Sequence, residues 1–206
     1  TDTKDFTVSS ASLTNNTRVT APVTFDFQSG EQNWNGVPMW YLTDVDLANR
    51  QSQVWLFNDL YNPEIGSGNL GDPHIGGGDL TSPPIVIPAT GYYLRFDYFY
   101  ETESFFKFWD HRWIQVSVDG GDFENLYQFS MDADNTWLSS QAINLSAYAG
   151  KTIRLRFHMD IVDQFENGGY GWLVDNISIN TIAPVSCNDP EPNDTIGQAT
   201  AFPQSG

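Results

Sequence analysis

Residues 94–121 decide the fold, because they contain two runs in which apolar and polar side chains alternate. The first run is Leu94-Arg95-Phe96-Asp97-Tyr98-Phe99-Tyr100, and the second is Ile114-Gln115-Val116-Ser117-Val118-Asp119. Side chains alternate across a strand, so each run places its apolar residues on one face. Asp119-Gly120-Gly121 tolerates positive φ angles and is typical of a turn. The pattern predicts a central hairpin whose two arms are joined by an acidic, aromatic loop.

Other segments repeat this alternation and complete the predicted fold. Strands are expected at residues 23–27, 85–87, 153–159 and 172–179, separated by segments rich in Gly, Pro, Asn and Asp. In the last of these, alternation places Asp175 on the apolar face with Leu173, Ile177 and Ile179. The sequence therefore predicts an all-β, jelly-roll-like antiparallel β-sandwich with long loops and an irregular C-terminal tail. The side chains predicted to lie between its sheets are Phe96, Tyr98, Val116, Leu155, Phe157 and Ile177.

Changes in composition divide the chain into three parts. Residues 1–21 are polar and are interpreted as a linker or an edge segment. Residues 22–182 contain the predicted strands and form the sandwich. Residues 183–206 contain several prolines and acidic residues, which cannot form a central strand. We interpret the start of this last part as a domain boundary.

The composition limits the classes of function. The 206 residues carry a formal net charge of −17, which argues against nucleic-acid or anionic-membrane partners because both require a basic patch. No apolar run approaches the ~20 residues of a transmembrane helix, so membrane insertion is not expected. Cys187 is the only cysteine, which excludes an intrachain disulfide. An acidic protein without disulfides favours a bacterial protein that is secreted or displayed on the cell surface.

Acidic loops follow two of the predicted strands, and they are the candidate metal sites. Loops from the same end of a sandwich converge, and calcium accepts six to eight oxygen ligands with flexible geometry. We therefore predict structural calcium at one end of the sandwich. The candidate ligands are Glu101, Glu103, Asp110, Asp160, Asp163, Glu166 and Asn167, with Asp26, Asp79 and Asp175 as a second group.

Motifs for catalysis are missing from the sequence. The chain has no Gly-x-Ser-x-Gly nucleophile elbow and no His-Glu-x-x-His zinc motif. Its histidines, His74, His111 and His158, do not have the spacing of a zinc site. We therefore expect no enzymatic activity from this chain. Trp34, Trp40 and Trp55 allow two interpretations: rings that stack on sugars, or aromatic filling of the core.

Several stretches together resemble the MAM-like jelly-roll domain of immune inhibitor A-like secreted bacterial metalloproteases. The matching stretches are Phe25-Asp26-Phe27, Asp79-Leu80-Thr81-Ser82-Pro83, Leu94-Arg95-Phe96-Asp97-Tyr98, Val116-Ser117-Val118-Asp119-Gly120-Gly121, Tyr148-Ala149-Gly150-Lys151 and Gly171-Trp172-Leu173-Val174-Asp175-Asn176-Ile177. Separately, Asp189-Pro190-Glu191-Pro192-Asn193-Asp194-Thr195 resembles the opening of a bacterial pre-peptidase C-terminal domain. The resemblance implies a noncatalytic, often calcium-bearing module in a larger exported protein, commonly a peptidase.

The main functional hypothesis is thus a calcium-stabilised accessory module of a larger secreted bacterial protein. Its partners would be neighbouring domains of the same polypeptide and a protein or glycan substrate. One alternative is a carbohydrate-binding module that uses exposed aromatic side chains. The other is an adhesin or surface-assembly subunit that self-associates when its first 20 residues pair with a neighbouring sheet edge.

Overall fold

The computed structural model describes residues 17–37, 39–58, 76–102, 109–162 and 169–181. Within these ranges the chain forms fourteen strands and one 3₁₀ turn, Ser146–Tyr148. The predictions for residues 1–16 and for the tail with Cys187 lie outside the described residues, as does His74. No helix in the described ranges is long and apolar enough to span a membrane.

The strands form two sheets of seven strands each, which confirms the predicted all-β sandwich. Sheet A consists of Val19–Thr20 (β1), Asn35–Val37 (β3), Gly76–Thr81 (β6), Ile85–Val86 (β7), His111–Val118 (β9), Phe123–Gln128 (β10) and Thr152–Ile161 (β13). Sheet B consists of Val23–Phe25 (β2), Trp40–Leu47 (β4), Arg50–Phe57 (β5), Tyr92–Glu101 (β8), Leu138–Ser139 (β11), Ile143–Asn144 (β12) and Gly171–Thr181 (β14).

The last two long strands occupy the middle of the two sheets. β13 pairs with β6 and β7 on one side and with β9 on the other. β14 pairs with β8 on one side and with β5 and β2 on the other. The chain passes repeatedly between the sheets. The paired strand ends place the passages after β5, β8 and β13 at one end of the sandwich, which we call the crossover end. This wrapping is the jelly-roll-like arrangement that the sequence predicts.

The predicted hairpin between residues 94 and 121 is wrong, because its two arms lie in opposite sheets. β8 belongs to sheet B and β9 to sheet A. Alternation shows which face of a strand is apolar, but two strands facing each other across a core have the same alternation as two paired strands. The turn at residues 119–121 is confirmed, with φ angles of 50° at Asp119 and 83° at Gly120, and it joins β9 to β10.

A second hairpin, which the sequence analysis did not predict, joins β4 to β5. Ala48 and Asn49 form its two-residue turn with φ angles of 52° and 65°. Two positive φ angles match the twist of the flanking strands and allow this short connection. The hairpin places Trp40 opposite Phe57 and Leu47 opposite Arg50.

Aromatic side chains fill the space between the sheets. The ring of Phe157 lies 5.8 Å from that of Trp34, 4.9 Å from Phe96 and 5.7 Å from Trp172. These rings come from both sheets, so their contacts hold the sandwich together. All six predicted core residues are confirmed, since each exposes 5% or less of its surface.

The predicted orientation of Asp175 is wrong because β14 contains a bulge. Its pairing with β8 shifts after Asp175, and Asn176 has a φ of 50°. The extra residue reverses the alternation, as a bulge does. Ile177 and Ile179 therefore face the core between the sheets, whereas Leu173 belongs to a separate cluster on the outer face of sheet B. Asp175 shares that outer face with Leu173.

Candidate functional site

Three of the predicted calcium ligands lie at the crossover end. Glu101 ends β8 and accepts a hydrogen bond from the Tyr170 amide at 2.9 Å. Asp160, near the end of β13, lies opposite His111, with 3.2 Å between Oδ2 and Nδ1. Asp110 is buried directly before β9. The other four candidates of this group, Glu103, Asp163, Glu166 and Asn167, lie outside the described residues.

The second group of predicted ligands does not form one cluster. Asp26 accepts hydrogen bonds from Gln28 and Gln32, while Asp79 accepts one from His158. Asp79 lies in sheet A. Asp26 follows β2 of sheet B and is linked to Asp175 through hydrogen bonds of Gln28 and Ser52, so the structure does not bring all three carboxylates together. Among the described residues, no group of three or more His, Cys, Asp or Glu side chains is arranged to hold a metal ion.

Asp175 is paired with protein groups. Its Oδ2 accepts hydrogen bonds from the Arg50 guanidinium at 2.7 Å and the Ser52 hydroxyl at 2.8 Å. Oδ1 accepts one from the Asn176 amide at 2.7 Å. Burial raises the pKa of Asp175, and the bonds from Ser52, Asn176 and Arg50 offset this only in part. A buried carboxylate needs such partners, so this network stabilises the outer face of sheet B.

A second largely buried ion pair joins Arg112 of β9 to Asp132. The guanidinium of Arg112 makes two hydrogen bonds to Asp132, of 2.8 and 3.0 Å, and lies 3.5 Å from the ring centre of Tyr100. Burial opposes ionisation of Asp132, but the bonds from Arg112 outweigh it and lower its pKa. Burial also raises the pKa of Tyr100 to about 12. These groups satisfy one another, so we assign them a structural role.

The tryptophans singled out from the sequence fill the core. Trp34, Trp40 and Trp55 expose 2%, 4% and 2% of their surfaces. Trp40 packs against Trp172 with ring centres 5.5 Å apart. Their rings cannot form a stacking platform on the surface. Trp109 is the one exposed tryptophan in the described part of the chain, at 46%.

The outer face of sheet A carries histidine, arginine and aspartate side chains that contact one another, together with the ring of Trp113. His158 lies between Trp113 and Asp79 in the strand register, and its Nδ1 is 2.6 Å from Asp79 Oδ1. Arg156 contacts the other oxygen of Asp79 at 3.4 Å and stacks over Phe123 at 3.6 Å. These contacts hold the polar groups of this face in fixed positions.

Further polar side chains on the outer face of sheet A are also hydrogen-bonded to one another. His111 pairs with Asp160 and lies 6.4 Å from Trp113 between ring centres. Gln115 donates a hydrogen bond to Asn125 at 2.8 Å. The two arginines of β13 are balanced by Asp79 and Asp160, although the whole chain is strongly acidic. This face therefore combines half-buried aromatic rings, paired polar groups and little net charge.

Sequence reasoning missed this face as a site, although one signal was present. Arg154, Arg156 and His158 alternate with apolar residues and so had to share the outer face of β13. Their partners could not be derived, because Asp79 is 79 positions from His158 along the chain. Trp113 was likewise not singled out.

The chain matches no protein-family model and no curated protein sequence. Among solved structures it is similar to the carbohydrate-binding module TmCBM61 in complex with β-1,4-galactotriose, at 14% identity and a TM-score of 0.48, covering 76% of this chain and 94% of that one. It is also similar to a CBM35 from Paenibacillus barcinonensis, at 16% identity and a TM-score of 0.42, covering 78% and 99%. A third similarity is to the K3 cleaved adhesin domain of Lys-gingipain from Porphyromonas gingivalis W83, at 16% identity and a TM-score of 0.44, covering 77% and 97%. These similarities are too distant to transfer a function.

Proposed function

We propose that this chain is a noncatalytic, extracellular module that binds neutral glycans on the outer face of sheet A. The observation that carries the proposal is the position of the Trp113 ring, which lies beside two hydrogen-bonded histidine–aspartate pairs on the outer face of sheet A. Aromatic rings provide flat apolar surfaces, and a few fixed polar groups provide orientation, as in small-molecule sites generally. A sugar requires this combination because its rings have both apolar C–H faces and hydroxyl groups.

The balanced charge favours a neutral ligand over an ion. His111 and His158 each lie beside an aspartate, and Arg156 is shared between Asp79 and the ring of Phe123. Because Arg156 already contacts a carboxylate and each histidine is hydrogen-bonded to an aspartate, a charged ligand would gain less than a polar, uncharged one. Trp109 lies two residues before the start of β9 and provides a further exposed ring at that end of the strand.

Replacing Trp113 by alanine is expected to weaken glycan binding by at least about tenfold, which corresponds to ~1.4 kcal/mol. Candidate glycans are first found on an array, and affinities are then measured by titration calorimetry. Trp109→Ala is measured in parallel. Tyr93→Ala, which removes a half-buried ring from sheet B, is the matched control and should leave affinity unchanged. Absence of binding to every neutral glycan, or equal loss in the control, would refute the proposal.

The accessory role within a larger secreted protein, including a peptidase, rests on the MAM-like resemblance and belongs to the same proposal. Calcium belongs to it as well. Its support is that Glu101 and Asp160, from opposite sheets, both lie at the crossover end, where the two acidic loops begin. Several carboxylates held together without a cation would repel one another.

Removal of calcium is expected to lower the melting midpoint. A ligand that binds only the folded state stabilises it by about 2.7 kcal/mol at a hundredfold excess over Kd. The measurement is melting with excess chelator and again after calcium is restored, with elemental analysis of the untreated protein. Asp163→Ala should reduce the shift, whereas Asp122→Ala, beside the β9–β10 turn at the opposite end, should not. An unchanged midpoint in a metal-free protein would exclude the ion without affecting the glycan test.

A further inference from the structure

β4 is an eight-residue strand, and within the described ranges no strand pairs with one of its edges from Leu42 onward, which we call its free edge. Among the described strands, β5 is its one partner, and β4 ends the path of sheet B. Edge strands present unpaired backbone groups that can pair with another chain, and proteins usually keep such edges short. β4 is long and regular for an edge strand, which suggests that its unpaired backbone groups have a binding role.

The register shows which backbone groups point outward. In a two-residue hairpin the residues flanking the turn are hydrogen-bonded to each other, and bonded and non-bonded pairs then alternate. The bonded set thus includes Leu47, Val45 and Thr43, and the bond from the Asn58 amide to the Met39 carbonyl continues the same series. Leu42, Asp44 and Asp46 direct their N–H and C=O groups to the free edge. The Thr43 hydroxyl approaches the Asp44 carbonyl at 3.5 Å, which is a weak contact.

The free edge begins at Leu42, because β3 covers the edge before it. A Cβ on Gly36 would lie 2.7 Å from the Trp40 carbonyl oxygen and 2.7 Å from the ring of Trp55. Glycine at this position allows β3 to approach β4 closely. From Leu42 to Asp46 the outward groups recur about every 7 Å, which is the two-residue spacing of a strand.

A groove lies beside this edge, over the face of the β4–β5 hairpin that carries Leu42, Asp44 and Asp46. It consists of two cavities of about 450 and 430 Å³ that share Gln53 as a lining residue. The first is floored by Trp34 and Trp55 and includes Leu42, while the second is lined by Asp44 and Asp46. One part of the groove thus suits an apolar side chain, and the other suits a cation.

The charges around the groove decide the kind of partner. Glu31, Asp44 and Asp46 are exposed. Arg50, at the hairpin turn, is bonded to Asp97 and Asp175 on the outer face of the sheet. A second copy would bring a second set of aspartates against the first, and like charges on adjacent strands are destabilising. The complementary occupant is an extended segment that carries lysine or arginine.

We propose that the free edge of β4 binds an extended, basic polypeptide segment of another protein by strand addition. The backbone of the segment pairs with Leu42, Asp44 and Asp46. Alternate side chains enter the groove, with an apolar one beside Leu42 and a basic one beside the two aspartates. This mode combines main-chain hydrogen bonds for affinity with side-chain pockets for specificity. The site is separate from the outer face of sheet A.

The test uses a fluorescein-labelled peptide of alternating lysine and valine, with binding measured by anisotropy. Methylation of four consecutive central amide nitrogens removes backbone donors without changing charge, and it should weaken binding by about tenfold or more. The corresponding glutamate peptide should bind at least about tenfold more weakly, and binding of the lysine peptide should decrease with salt.

Two protein variants examine the same edge. Asp44→Pro removes an outward N–H that makes no bond to β5, so the hairpin is retained while pairing with the peptide is blocked. Asp44→Asn keeps that N–H and removes only the charge, and its loss of affinity should be smaller. Melting curves establish that both variants fold. Trp113→Ala should bind the peptide normally, which separates this site from the glycan face.

Three results would overturn the proposal. The first is equal affinity of the methylated and unmethylated peptides, which would leave only charge attraction. The second is no binding of the lysine peptide at millimolar concentration. The third is a dimer of the protein, seen by sedimentation, that Asp44→Pro dissociates, because β4 would then pair with a second copy. Should Asp44→Pro not fold, the methylated peptide still decides the question.

Discussion

Replacing Phe157 by alanine is expected to lower the free energy of unfolding by about 3–5 kcal/mol. Phe157 is fully buried, and its ring contacts Trp34, Phe96 and Trp172. The substitution removes apolar contacts and leaves a cavity between the sheets, which rigid surrounding rings can fill only in part. Urea unfolding followed by circular dichroism measures the change, with the m value expected to stay constant.

Phe123→Ala is the matched control for this prediction. Phe123 lies on the outer face of sheet A, is half-buried, and stacks on Arg156. It has the same side chain and lies in the same sheet, but its removal leaves no cavity between the sheets. Its loss should be much smaller, in the range of about 0.5–1.5 kcal/mol. Equal losses in the two variants would contradict the assignment of Phe157 to the centre of the core.

Replacing Arg50 by alanine is expected to destabilise the protein by about 3 kcal/mol at neutral pH. The substitution removes the hydrogen bond to Asp175, the contact of 3.1 Å with Asp97 and the stacking on Trp137 at 4.3 Å. Asp175 exposes 1% of its side chain, so a buried carboxylate would lose its cation. Removing one partner of a buried pair costs more than the pair itself contributes.

The destabilisation caused by Arg50→Ala should increase as the pH rises. Burial already raises the pKa of Asp175, and the absence of Arg50 would raise it further. A carboxyl group whose pKa is higher in the folded state favours folding at low pH, and this contribution is lost as the pH rises through the folded-state pKa. The destabilisation should therefore be larger at pH 7.5 than at pH 5.

Two further variants check the origin of this effect. Adding Asp175→Asn to Arg50→Ala should remove most of the pH dependence, because no carboxyl group then remains to titrate. Lys151→Ala removes an exposed contact with Asp119 and should change stability little at either pH. A loss of equal size at pH 5 and pH 7.5 would show that packing against Trp137, rather than the charge of Asp175, explains the effect of Arg50→Ala.

Sequence alternation predicted the faces of the strands but not their partners. Leu155 and Phe157 are buried as expected, because period-two alternation depends only on local geometry. The long partner strand of β8 is β14, about 80 residues away, and nothing in the sequence of β8 specifies it. Alternation also failed locally, because the bulge at Asn176 reverses the faces of β14. The sequence contains no clear signal for the positive φ of Asn176.

The candidate sites were less predictable than the fold. The acidic ends of β8 and β13 were expected to share one end of the sandwich, and the strand register places them there. The pairing of His158 with Asp79 depends on two strands meeting, and so does the free edge of β4. Such arrangements arise from tertiary register, which a residue pattern within one strand cannot encode.

The central positions of β13 and β14 have a consequence for how the chain acquires its structure. Among the described residues these are the last long strands along the chain, and β5, β6, β8 and β9 each pair with one of them. Until residue 181 is available, β2, β5 and β8 lack the strand that joins them, and their apolar faces have no complete sheet to enter. Folding must therefore wait for contacts that are distant in sequence, which makes it slow relative to helical domains. Until β14 has been synthesised, the strands of sheet B have no common partner, so the growing chain cannot form its complete sandwich.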